Sequence, residues 1–98
     1  MSLSYEKLSP SAIDEAISGV PGWSLDGPAL VRDFAFESYK DGLVFGSAVG
    51  YIADALNHHP DLHIGYKKVR VAMVTHDAGG GLTSYDFELA RRINRLLG

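Results

Sequence analysis

Behind Ser38, whose side chain can cap free backbone N–H groups, Phe45, Ala48, Val49, Ile52 and Leu56 recur at helical spacing as one continuous apolar stripe. Pro60 forbids that helix from going on, because proline disfavours helical geometry in the residue before it and donates no backbone hydrogen bond. The helix must stop near Asn57, and the rest of the chain has to fold around it in two halves.

Each half holds a pair of strand-like runs. Residues 23–25 and 29–37 flank Asp26-Gly27-Pro28, a run that favours a turn; Leu30, Phe34 and Phe36 share one face of the second run, with Asp33 and Glu37 on the other. Residues 63–66 and 69–75 make the second pair, in which Val69, Val71 and Met73 alternate with Arg70, Ala72 and Val74. A short first helix starts at Ser9-Pro10-Ser11, carries Ile13, Ala16, Ile17 and Val20 at three-and-four spacing, and ends at Gly19 and Pro21-Gly22. Ala78-Gly79-Gly80-Gly81 reads as a flexible connection, after which Thr83 and Asp86 resemble a capping box for a last helix through Phe87, Ala90, Ile93 and Leu97.

The order α-β-β-α-β-β-α predicts an α+β fold: a four-stranded antiparallel sheet with three helices on one face, residues 1–98 forming a single domain. A sheet of this kind leaves one face or edge for self-association, so a symmetric homo-oligomer is expected. The 98 residues include no cysteine, which removes disulfides, thiolate metal sites and cysteine nucleophiles together and makes a cytoplasmic setting the default. The net charge of −3 and the scattered basic residues provide no nucleic-acid stripe, and neither a signal peptide nor a membrane span is expected.

All four histidines fall between His58 and His76. His58 and His59 precede a proline at a helix end, where irregular backbone can hold imidazoles at the rim of a cleft; His76 is expected at the C-terminal end of a strand, facing the same cleft. Imidazole gives and takes protons near neutral pH, its ordinary pKa being about 6.5. Asp54 stands one helical turn before His58, a spacing that would let its carboxylate orient that ring. Thr75 and Asp77 flank His76, although strand alternation points them to the opposite face. No metal site is expected, since adjacent histidines rarely converge on one ion, and Gly79-Gly80-Gly81 lacks the Lys-Ser/Thr of a phosphate loop.

Taken together, Asp54, His58-His59-Pro60, Tyr66, Thr75-His76-Asp77 and Asp86 resemble the signature of the pterin-4a-carbinolamine dehydratases, with weaker matches at Gly22-Trp23, residues 32–36 and residues 80–83. Two departures bear on tuning: Asp54 stands where the family commonly has Glu, and Asn57 where some members have Asp. The resemblance implies dehydration of a 4a-hydroxytetrahydropterin to the quinonoid dihydropterin, recycling the cofactor of an aromatic amino-acid hydroxylase, with the pterin as substrate and no separate cofactor. It also implies His58, His59 and His76 as catalytic and pterin-contacting residues, with His58 and His76 the proton-transfer pair, and Trp23, Asp54, Pro60, Thr75 and Asp77 as substrate-binding ones. A homodimer or homotetramer is expected, with no direct nucleic-acid or membrane contact.

Bland readings stand beside these. Trp23 equally suits core packing, Asp86 reads first as a helix cap, and His63 as a structural histidine. Two other functions compete with the dehydratase: partnership with a homeodomain transcription factor, as in animal members, through the face of the central helix around Lys40, Val44 and Tyr51, and binding of a different pterin without turnover.

Overall fold

A computed structural model describes residues 2–97, in which three helices and four strands follow the expected order. They are α1 Pro10–Ile17, β1 Ser24–Asp26, β2 Ala29–Ala35, α2 Tyr39–Leu56, β3 Asp61–Gly65, β4 Lys68–Met73 and α3 Ser84–Leu96. A single turn of 3-10 helix, His76–Ala78, lies between β4 and α3.

Each helix begins at a capping side chain. Ser9 Oγ accepts the Ala12 N–H at 3.2 Å with Pro10 at the first helical position, and Ser38 Oγ accepts the Asp41 N–H at 3.0 Å. Thr83 and Asp86 close the full capping box of α3. α2 ends as Pro60 requires: Asn57 turns left-handed at φ 53° and ψ 41°, and its N–H still reaches back to the Ala53 and Asp54 carbonyls.

The strands pair antiparallel in the order β1-β2-β4-β3. The register sets Phe34 opposite Val69 and Leu62 opposite Val71, so both hairpins turn their apolar sides the same way. That side meets Phe45, Val49 and Ala53 of α2 and Phe87 and Ile93 of α3 in one core cluster. Full burial of each large side chain there contributes about 1.5–3 kcal/mol. Gly42 and Gly46, one turn apart, let α2 settle close to the sheet; a Cβ at Gly46 would come within 2.9 Å of Ile64 Cδ1.

The opposite sheet face carries a charged rung. Arg70 Nε and Nη2 donate to the two Asp33 carboxylate oxygens at 2.8 and 3.2 Å, and Nη1 donates to Asp26 Oδ2 at 3.1 Å. The guanidinium holds the Asp33 carboxyl below its usual range.

Several boundaries depart from the sequence reading, among them β1, which runs Ser24–Asp26 and not 23–25. β2 stops at Ala35, although the Phe36 N–H still donates to the Lys67 carbonyl at 2.9 Å. The third strand starts earlier, at Asp61 directly after Pro60, and Tyr66 falls in the turn to β4. β4 ends at Met73, so His76 begins a 3-10 turn instead of closing a strand. The segment 78–81 is not a loose connection: Thr75 bridges Gly81, Ala78 N–H donates to Thr75 O at 3.0 Å, and Gly79 and Gly80 take the positive φ values of 66° and 83° that the tight return requires.

Candidate active site

The residue before Pro60's helix break matters as much as the proline. Because Asn57 is left-handed, the chain leaves the axis of α2 and carries His58 inward, where its ring is 6% exposed, while His59 stays outside. His58 Nε2 lies 2.6 Å from Asp86 Oδ1. Asp86, the third residue of α3, is fully buried, and its second oxygen accepts the Thr83 N–H at 2.9 Å and the Thr75 hydroxyl at 2.7 Å. Thr75 and Thr83 hydroxyls meet at 2.8 Å, and no buried side-chain nitrogen or oxygen of the described residues is left without a partner. His58 Nδ1 makes no hydrogen bond among the described residues, and His58 keeps 6% of its surface in contact with solvent.

The surface it reaches is a cleft of about 250 Å³, lined by Tyr5, Asn57, His58, His59, Val74, Thr75, His76 and Asp77. The three histidines of the sequence reading thus come together from two places, the end of α2 and the turn after β4. Thr75 is buried at the cleft floor, whereas His76 and Asp77 are exposed at its rim on the 3-10 turn, where strand alternation no longer separates them.

Other expectations need correction. Asp54 does not orient His58; it accepts from or faces His59, Nε2 to Oδ1 at 3.1 Å, with both groups exposed, because the left-handed Asn57 destroys the four-residue helical register beyond it. Trp23 does not wall the cleft. It is 5% exposed in the core, its Nε1–H donates to Asn94 Oδ1 at 2.8 Å, and its ring meets Phe34 edge-on at 6.2 Å. The same Asn94 oxygen accepts Arg32 Nη1–H at 2.7 Å, which ties the β1–β2 hairpin to the end of α3. Pro60 shapes the chain between His59 and β3 and is not among the lining residues.

The sequence reading underrated Asp86 and missed Tyr5 as a lining residue. Asp86 serves as the expected cap and as the partner of His58 at once. No periodicity marks Tyr5, which precedes the first helix. Among the described residues no group of three or more His, Cys, Asp or Glu is placed to hold a metal ion, and no helix is long and apolar enough to cross a membrane.

An α+β layer thus carries an aspartate-held histidine at a cleft that it shares with two further histidines. The family model described as pterin 4 alpha carbinolamine dehydratase matches residues 6–96, and the chain belongs to that family. Relatives bearing the family's name include a protein of Sulfurisphaera tokodaii, 45% identical over 94% of this chain and 98% of its own length. Another, from Acidobacterium capsulatum, is 44% identical over 93% of this chain and 98% of its own. The crystal structure of a "transcriptional coactivator/pterin dehydratase" from Brucella melitensis superposes with a TM-score of 0.87 at 32% identity, covering 95% of this chain and all of the other. A pterin dehydratase-like RuBisCO assembly factor of the alpha-carboxysome shares the fold alone, at 23% identity and a TM-score of 0.61 over 78% of this chain and 87% of its own.

Proposed function

We propose that this protein dehydrates a 4a-hydroxytetrahydropterin to the quinonoid dihydropterin by histidine general acid–base catalysis, returning pterin to an aromatic amino-acid hydroxylase. The observation that carries this reading is the buried His58–Asp86 pair at 2.6 Å beneath a cleft shared with His59 and His76. Loss of the 4a-hydroxyl breaks one C–O bond; a proton must reach the departing oxygen so that it leaves as water, and a proton must leave a ring nitrogen. Two imidazoles suit those two tasks.

His58 and His76 form the proton-transfer pair in this reading, and His59 contacts the pterin. The Asp86 carboxylate fixes the His58 ring, leaving the other ring nitrogen to work in the cleft. Asp77 offers a hydrogen-bonding group at the rim, Thr75 forms the floor beneath the pterin while its hydroxyl holds Asp86, and Asp54 steadies His59 from outside. The pterin is substrate, and no further cofactor enters the scheme. The cytoplasm, where a hydroxylase partner would work, is the setting that goes with it.

Stopped-flow ultraviolet absorbance of 4a-hydroxytetrahydropterin decay tests the proposal, with wild-type protein beside His58→Ala/His76→Ala and a protein-free control. Acceleration by wild type alone is expected; a wild-type rate equal to the spontaneous one would end the enzyme reading.

A second reading concerns assembly. The outward face of α2 exposes Leu43, Val44 and Tyr51, the last 81% exposed, which favours self-association into a dimer or tetramer beside catalysis. Light scattering of wild type and Val44→Glu/Tyr51→Glu checks it: the wild type should exceed the monomer mass and the variant should fall to it.

A further inference from the structure

Tyr5 reaches the cleft from the segment before α1, which is pinned on both sides of it. The Ser4 N–H donates to Ser84 Oγ at 2.9 Å and the Ser84 hydroxyl donates to the Ser4 carbonyl at 3.3 Å. On the far side the Leu8 N–H donates to the Leu82 carbonyl at 2.8 Å. Ser84 opens α3 two residues before Asp86, so one helix terminus anchors both the His58 partner and this strap.

Between the pins the Tyr5 ring stacks on Tyr85 with centroids 4.5 Å apart and planes inclined by 16°. Tyr85 in turn lies 5.8 Å from the His58 ring. Two rings, Tyr85 and then Tyr5, therefore lead outward from the buried imidazole, and Tyr5 is the outer one, 45% exposed and lining the cleft with all three histidines. A tethered, ring-backed aromatic at a cleft mouth is already ordered, so a ligand placed against it does not have to immobilise it.

We propose that Tyr5 is a positioning residue of this cleft, its Tyr85-backed ring forming the wall that holds a flat heterocycle against His58, His59 and His76; the proposal rests on the dehydratase reading above. The Tyr5 phenol is pushed above its ordinary value of 10.0, first by desolvation and then by Tyr85 and Asp77. Tyr5 takes no proton from the substrate. It acts by fixing where the ring system lies relative to the imidazoles.

The test is the split between KM and kcat. Tyr5→Ala should raise KM about tenfold, the scale of one lost aromatic contact, with kcat within about threefold of wild type. Tyr5→Phe should bring KM back to within about twofold, since the ring and not the hydroxyl makes the wall. Ser84→Ala, which releases one pin, should raise KM in the same direction by a smaller factor. The same variants are titrated with oxidised biopterin by fluorescence quenching, where Tyr5→Ala should weaken Kd about tenfold. Unchanged KM and Kd in Tyr5→Ala would overturn the proposal while leaving the dehydratase reading intact, as would a fall in kcat alone. If wild type binds biopterin without accelerating dehydration, the dehydratase reading fails and the Tyr5→Ala Kd alone decides the wall; if it binds none, both fall. Should Tyr5→Ala not fold, Tyr5→Leu carries the same comparison.

Discussion

Asp86 Oδ1 stands 2.6 Å from His58 Nε2, both side chains are buried, and the other Asp86 oxygen is spent on the Thr83 N–H and the Thr75 hydroxyl. Asp86→Asn can keep one oxygen on the cap while turning an N–H₂ towards His58, which forces Nε2 to accept and moves the ring proton to Nδ1. In the dehydratase assay kcat should fall about 10- to 100-fold, the scale seen for partners that orient a functional histidine.

Thr75→Val keeps the volume and removes the hydroxyl that links Asp86 to Thr83. The buried Asp86 carboxylate loses a donor and the buried Thr83 hydroxyl loses its acceptor, so the variant should unfold at lower urea, by about 1–3 kcal/mol. Equilibrium urea titration followed by circular dichroism measures it, and an unchanged midpoint would show that the link adds no stability.

Asn57 sits at φ 53° and ψ 41°, a conformation in which a Cβ is crowded and glycine is free. Asn57→Ala should cost about 1 kcal/mol, while Asn57→Gly should be neutral or slightly stabilising. Thermal melts of the two variants should therefore move apart. Equal losses in both would mean that the Asn57 side chain, and not its backbone angle, holds the helix end.

Glu88 accepts from Arg92 Nε at 2.8 Å and Arg91 Nε at 3.1 Å, and these guanidinium groups hold its carboxyl below the ordinary value of 4.5. A carboxyl depressed in the folded state favours folding above its unfolded pKa and loses that advantage as pH falls through the folded one. Wild type should therefore lose stability on acidification below about pH 4.5, and Glu88→Gln should flatten that slope while leaving the rest of the titration alone. Urea midpoints at a series of pH values between about 3 and 7 provide the comparison.

Periodicity and punctuation made the fold legible. Pro60 stopped α2, Ser9, Ser38 and Thr83 marked three helix starts, and the alternation of Val69, Val71 and Met73 named the buried side of β4. The motif also brought His58, His59 and His76 to one place, as the shared cleft shows. The partners of those histidines were harder to read. Asp54 was paired with His58 on helical spacing, but one left-handed residue between them gave Asp54 to His59 instead. Asp86 was visible as a cap because Thr83 is three residues away, and invisible as the His58 partner because 28 residues separate the two. Trp23 was placed beside the ligand by resemblance, whereas the hairpin carries it to Asn94 in the core. Tyr5 had no pattern to mark it, since the strap is held at the cleft by Leu82, Ser84 and Tyr85, far along the chain.

One carboxylate starts α3 and holds the buried imidazole, so the two cannot be inherited separately. A lesion that removes both side-chain oxygens of Asp86 would loosen a helix end as well as leave His58 without its partner, and the damaged chain would be open to chaperones and proteases. Such lesions would then show first as a loss of protein abundance in the cell.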